Sequence, residues 1–118
     1  MIQHVARHTT PADIPACLAF YALLGFVAVP VPETLVGRAV WLQGGETQVH
    51  LLLAEDAEPE RGHVAVVLAD YEATLEALRA AGHEVDPRRE HWGSPRAYVH
   101  DPAGNLVEVM AFAPGQPA

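Results

Sequence analysis

Residues 100–110 read HDPAGNLVEVM and place one glutamate inside an otherwise apolar run. Asp101-Pro102-Ala103-Gly104-Asn105 has turn chemistry, since proline presets φ while glycine and asparagine tolerate positive φ. Leu106 to Met110 then reads as a strand due for burial. A carboxylate at Glu108 is costly to desolvate unless a positive group meets it.

Fifty-eight positions upstream of Glu108, His50 stands inside VHLLL. Other echoes run nearly the same distance. His4-Val5-Ala6 recurs as His63-Val64-Ala65 at an offset of 59, and Arg38-Ala39 recurs as Arg96-Ala97 at 58. Leu24-Gly25-Phe26 has a looser echo in Ala81-Gly82-His83 at 57. Echoes in one order at one distance imply two copies of a unit of about 55 residues.

Each copy has the same coarse reading. Residues 2–8 and 62–68 alternate as strands. Asp13 suits the N-cap of a helix over 14–24, with Pro15 in its first turn, an apolar stripe of Ile14, Leu18, Tyr21 and Leu24, and Gly25 as its stop. Asp70, the stripe Tyr71, Leu75 and Leu78, and Gly82 repeat the pattern. Three short strands follow each helix, at 26–30, 38–43 and 47–53, then at 83–87, 95–100 and 106–112.

The expected fold is therefore α+β, with two tandem βαβββ modules at about 1–54 and 62–112 in one domain. AEDAEPERG at 54–62 is the linker, and APGQPA at 113–118 reads as a frayed tail. Side by side, the modules would make a curved eight-stranded sheet with helices outside and a concavity within.

Alternation assigns the faces. His50 shares a face with Gln48, while Val49, Leu51 and Leu53 take the other. Glu108 likewise points away from Val107 and Val109. The apolar set belongs against the helix, so His50 and Glu108 point into the concavity. His4 and His63 occupy equivalent places on the first strands. Pseudo-symmetry then brings His4, His50, His63 and Glu108 to one centre. Three imidazoles and one carboxylate suit a single divalent ion: Zn²⁺, Fe²⁺, Ni²⁺, Co²⁺ or Mn²⁺. The metal-free alternative is an ion pair of Glu108 with Arg7 or Arg96.

Among the remaining candidates, His8 lies along the face of His4 and lines the pocket mouth, as a substrate contact or as a solvated rim. Trp92, in the His91-Trp92-Gly93 loop, is either an aromatic wall for a ligand or a loop anchor. Arg96 is a further candidate for substrate binding. Trp41 and Tyr98 read as packing residues, and His83 and His100 as surface. Cys17 has no basic neighbour on its helix and reads as an inert apolar side chain.

Bulk properties narrow the partners. The 118 residues carry a formal charge of −8, and all seven basic residues are arginine. Such acidity argues against nucleic acid or an anionic membrane surface. No apolar run is long enough to span a bilayer, and MIQHVARHTT has no signal-peptide core. The single cysteine forms no internal disulfide. These features fit a cytoplasmic protein acting on a small molecule.

With AFYALLGF at 19–26, GHVAVVLAD at 62–70, ALRAAGHEV at 77–85 and PRAYVHDPAGNLVEV at 95–109 in view, the chain resembles the vicinal oxygen chelate superfamily. That group includes glyoxalase I, bleomycin and fosfomycin resistance proteins and extradiol dioxygenases. The resemblance covers nearly the whole chain, and the DP-x-GN turn before an x-x-E strand is its most specific part. It implies metal ligands at His4, His50, His63 and Glu108, with His50 where glyoxalase I usually has a carboxylate. It also implies a divalent-metal lyase or isomerase that stabilises an enediolate-type intermediate, with Glu108 as general base. An Fe²⁺ extradiol-type dioxygenase and a bleomycin-type sequestering protein without catalysis are the alternatives, and a thiol cofactor such as glutathione is left open. Two modules this small point to a homodimer. By the resemblance, its sites lie at the interface.

Overall fold

The computed structural model describes residues 1–116, and the last two residues of the expected tail lie outside them. The chain divides into two compact units, one of residues 1–61 with 101–105, the other of 62–100 with the segment from 106 onward. Each contains one βαβββ module.

In the first unit β1 (His4–Thr9) precedes α1 (Ile14–Leu23), then come β2 (Val27–Val29), β3 (Ala39–Gly44) and β4 (Thr47–Leu53). The sheet order is β1-β4-β3-β2, parallel only between β1 and β4. The second unit repeats this with β5 (His63–Val67), α2 (Tyr71–Ala80), β6 (Asp86–Arg88), β7 (Arg96–His100) and β8 (Leu106–Met110). Its order is β5-β8-β7-β6, again parallel only in the first pair.

Register makes the duplication quantitative. His4 pairs with Gln48, and Ala6 and Trp41 both pair with His50. In the second unit His63 pairs with Leu106, and Ala65 and Tyr98 both pair with Glu108. Glu108 is thus the structural counterpart of His50, and Tyr98 that of Trp41. One echo fails by a residue. Ala39 pairs with Leu52 and Arg96 with Met110, so Arg96 corresponds to Ala39 rather than to Arg38. A slip of one position reverses the face of a strand residue, so the dipeptide match was fortuitous.

Each unit buries one face of its sheet. Leu42, Val49 and Leu51 are buried in the first, together with Cys17, Phe20 and Tyr21 of α1. Ala97, Val99, Val107 and Val109 are buried in the second, with Leu75 and Leu78 of α2. The α1 stripe follows its expected line only in its second half: Tyr21 and Leu24 are buried, but Cys17 and Phe20 are fully buried where Ile14 and Leu18 are half-buried. Because IPACLAFYAL is apolar all round, its sequence does not indicate which side faces in.

The two helix starts also differ. Asp70 caps α2 as expected, its carboxylate accepting from Ala73 N at 3.1 Å. Asp13 makes no such cap, because a 3-10 turn at Pro11–Asp13 runs straight into α1. Its carboxylate instead accepts from the Thr10 hydroxyl at 2.9 Å.

The DPAGN turn packs with the first unit. Asp101 Oδ1 accepts from Ala103 N and Asn105 N, both at 2.9 Å, and Oδ2 takes the Tyr21 hydroxyl at 2.6 Å. Gly104 has φ +90°, and a Cβ there would stand 2.7 Å from Pro59. Asn105 does not use positive φ as expected, since no described non-glycine residue does. Its amide serves instead, donating to His8 O at 3.0 Å.

Candidate functional site

The sheet faces turned away from the helices carry the candidate residues. In the second unit Glu108 is 6% exposed, yet it has company. His63 Nε2 lies 3.1 Å from Glu108 Oε1, and Arg96 Nη1 lies 3.5 Å from the same oxygen. Arg96 Nε donates to Arg89 O at 2.8 Å, which holds the guanidinium in place. Tyr98 completes the group, with His63 5.6 Å from its ring and the guanidinium carbons of Arg88 and Arg96 at 4.9 and 5.6 Å. Of the two metal-free partners expected for Glu108, Arg96 is therefore in place. Arg7 is buried on the helix side of β1, where its charge acts on the Tyr21 phenol.

In the first unit the imidazoles of His4 and His50 stack at 4.0 Å, 12° from parallel. Trp41 stacks on His50 at 4.3 Å and 4°, so its packing contact is with a candidate site residue. Burial pulls the His50 pKa below its ordinary value, and the neighbouring His4 lowers it further. A chain of amides runs alongside. Gln48 Oε1 faces His50 Nε2 at 2.8 Å, and Gln3 Oε1 faces His4 Nδ1 at 2.7 Å. Of this chain, sequence reading placed only Gln48 on the face of His50. The strand alternation that found Gln48 also reaches Gln43, through its register with Gln48. Gln3 falls inside the strand expected over 2–8, on the face opposite His4, whereas β1 begins only at His4.

The structure thus brings His4 to His50 and His63 to Glu108. Among the described residues no group of three or more His, Cys, Asp or Glu side chains gathers to hold an ion. The second pair nevertheless fits a divalent metal. Bonds of about 2.1 Å place two donors on one ion roughly 3.0–3.4 Å apart, from right-angle to tetrahedral geometry. The 3.1 Å between His63 Nε2 and Glu108 Oε1 falls in that range, which is equally that of a hydrogen-bonded pair. The first pair fits less directly, because one nitrogen of each ring is already engaged by a glutamine oxygen.

Outside these pairs, His8 Nδ1 sits 2.7 Å from Glu60 of the linker, with 42% of its side chain exposed. Trp92 donates its indole N–H to Phe112 O at 2.9 Å. His100 is exposed and His83 half-buried. Cys17 is fully buried, 3.8 Å from Thr9 Oγ1, and burial raises its pKa. No helix among the described residues is long and apolar enough to cross a membrane.

No curated protein matches the chain by sequence. Solved structures do. A Bacillus anthracis protein assigned to the glyoxalase family is 26% identical over 93% of both chains, with a TM-score of 0.82. A lactoylglutathione lyase of Agrobacterium tumefaciens is 24% identical, covering 93% of this chain and 92% of its own, at 0.72. A bleomycin-binding protein in complex with bleomycin is 19% identical, covering 92% and 98%, at 0.66. The last two share the fold. The family model for the Glyoxalase/Bleomycin resistance protein/Dioxygenase superfamily matches residues 2–109, and the chain belongs to that superfamily.

Proposed function

We propose that the protein is a divalent-metal-dependent, glyoxalase-like lyase or isomerase acting on a small substrate with two neighbouring oxygens. The observation that carries this reading is the His63–Glu108 pair, a buried carboxylate and an imidazole at the spacing of two donors to one ion. The ion's donors are His4, His50, His63 and Glu108, and Zn²⁺, Ni²⁺, Co²⁺, Fe²⁺ and Mn²⁺ all suit them. Such an ion supplies Lewis acidity toward the substrate oxygens. Glu108 accepts the proton leaving the adjacent carbon, held in position by His63 and Arg96. Arg96 and Tyr98 present a cationic and an aromatic surface to the substrate. The assembly in this proposal is a homodimer.

A second reading is a sequestering protein that needs no metal. Two observations favour it: Arg96 already offers Glu108 a compensating charge, and His50 is engaged by Gln48. Metal content measured by mass spectrometry on protein prepared without chelator separates the two. About one divalent ion per chain is expected for the enzyme, lost in Glu108→Ala and in His63→Ala. Wild-type protein that takes up no ion on reconstitution would overturn the metal site, and ligand-binding screens would then test the second reading.

A further inference from the structure

The two copies diverge on the face turned away from the helices. In the second unit His63 meets the Tyr98 ring at 5.6 Å, tilted by 45°. In the first unit three rings lie nearly parallel in one column. Trp41 covers His50 at 4.3 Å and 4°, and His50 covers His4 at 4.0 Å and 12°.

The column has an inner and an outer end. Trp41 stands on β3, and its cross-strand neighbour on the far side is Val29 of β2. His4 stands on β1, the last strand of this sheet, with no further strand of the unit beyond it. One face of His4 lies on His50, and its Nδ1 lies 2.7 Å from Gln3 Oε1. The residue is nevertheless exposed, so solvent reaches the outer face of the ring and its opposite edge.

The rings are also held in place. Gln3 Oε1 and Gln48 Oε1 each face a ring nitrogen, at 2.7 and 2.8 Å. The amides are tied to one another in turn. Gln3 Nε2 donates to Gln48 Oε1 at 3.0 Å, Gln48 Nε2 to Gln43 Oε1 at 2.7 Å, and Gln43 Nε2 to Gly45 O at 2.7 Å. Side chains already fixed this way lose little rotamer freedom when a ligand arrives. In the second unit Leu106 pairs with His63 where Gln48 pairs with His4, so that copy has no glutamine at the matching position.

We propose that the outer face of His4 is a stacking platform for a planar aromatic or heteroaromatic ring, which extends the Trp41–His50–His4 column by one member. A flat ring gains a full face of contact there, whereas a saturated ring of similar size has no π face to offer. The site lies within the first unit and needs no ion. It therefore goes beyond the activity proposed above and does not rest on it.

The probe is caffeine, a flat heteroaromatic ring system with carbonyl groups. N,N′-dimethylpropyleneurea, a saturated ring with one carbonyl, is the comparison. Each is titrated into the whole chain in EDTA and followed in ¹H–¹³C spectra of the histidine rings. Caffeine should shift the ring protons of His4 most, and upfield, through its ring current. The saturated ring should bind about fivefold more weakly or worse, and so should caffeine to His4→Leu, which keeps bulk but removes the π face. That factor is the lower end of what one stack on an aromatic side chain contributes. Equal binding of the two probes, equal caffeine binding by wild type and His4→Leu, or no His4 shift at millimolar caffeine would overturn the proposal. If His4→Leu does not fold, the wild-type shifts and the comparison of the two probes decide. Because EDTA removes any ion, none of these outcomes bears on the metal content that tests the proposed function.

Discussion

Arg96 holds Nη1 3.5 Å from Glu108 Oε1, and both side chains are about nine-tenths buried, at 10% and 8% exposure. A buried carboxylate needs such a partner, and removing one member of a buried pair costs more than the pair itself contributes. The contact is long, so we expect Arg96→Met to destabilise metal-free protein by about 1–3 kcal/mol in urea unfolding. Zinc should recover more stability in the variant than in wild type, because the ion replaces the missing cation at Glu108. Equal stabilisation of the two proteins by zinc would contradict that placement of the ion.

Tyr21 and Asp101 lie 80 positions apart in sequence, and their 2.6 Å hydrogen bond is buried. Tyr21→Phe leaves a buried carboxylate oxygen short of a donor. The expected loss is about 1.5–3 kcal/mol, the range for a hydrogen bond to a charged group. Asp101→Ala should cost more, because the same carboxylate also closes the turn through Ala103 N and Asn105 N. The comparison is read from urea midpoints at equal slope. A Tyr21→Phe change within error of wild type would show that the contact contributes nothing net.

The same phenol governs alkaline stability. Burial, first, and the adjacent Asp101 charge push the Tyr21 pKa well above its ordinary value. Below about pH 10 both folded and unfolded chains keep this proton, and the group adds no pH dependence. Above that value the unfolded chain releases it while the folded chain retains it, so stability falls by up to about 1.4 kcal/mol per pH unit. Tyrosinate absorbance should therefore show one phenol that ionises only as circular dichroism reports unfolding. Tyr21→Phe should lose that component.

The helix starts offer a paired comparison. Asp70→Ala removes an N-cap and should cost about 1 kcal/mol. Asp13→Ala removes only a hydrogen bond from the Thr10 hydroxyl, and the expected cost is about half as large. Similar losses in both would mean that Asp13 supports α1 by another route, such as the charge of its carboxylate near the helix start.

Gly44 ends β3 against the face of Phe26, where an added Cβ would stand 2.5 Å from two ring carbons. Gly44→Ala must displace the ring, and overpacking of this kind costs about 1–3 kcal/mol. Phe26→Leu in the same background should restore part of it. Additive losses in the double variant would place the clash elsewhere.

The sequence by itself determined the elements and their duplication. Alternation and 3.6-residue periodicity are local properties, so strands and helices could be placed within a few residues of β1–β8, α1 and α2. The two-residue period also assigned faces, which put His50 and Glu108 on the side away from the helices. Residues repeated at one offset then implied that His4 and His63 are equivalent, and parallel registers through Ala6 and Ala65 agree.

Only the tertiary structure decided which polar groups meet. Whether Glu108 faces Arg7 or Arg96 depends on strand register, and a slip of one residue separated Arg38 from its apparent counterpart. The seating of the Asp101 turn against Tyr21 depends on chain segments 80 residues apart. The stack of Trp41, His50 and His4, with its glutamine chain, needs three strands side by side. These are non-local contacts whose energies arise only after packing, so no pattern within one segment encodes them.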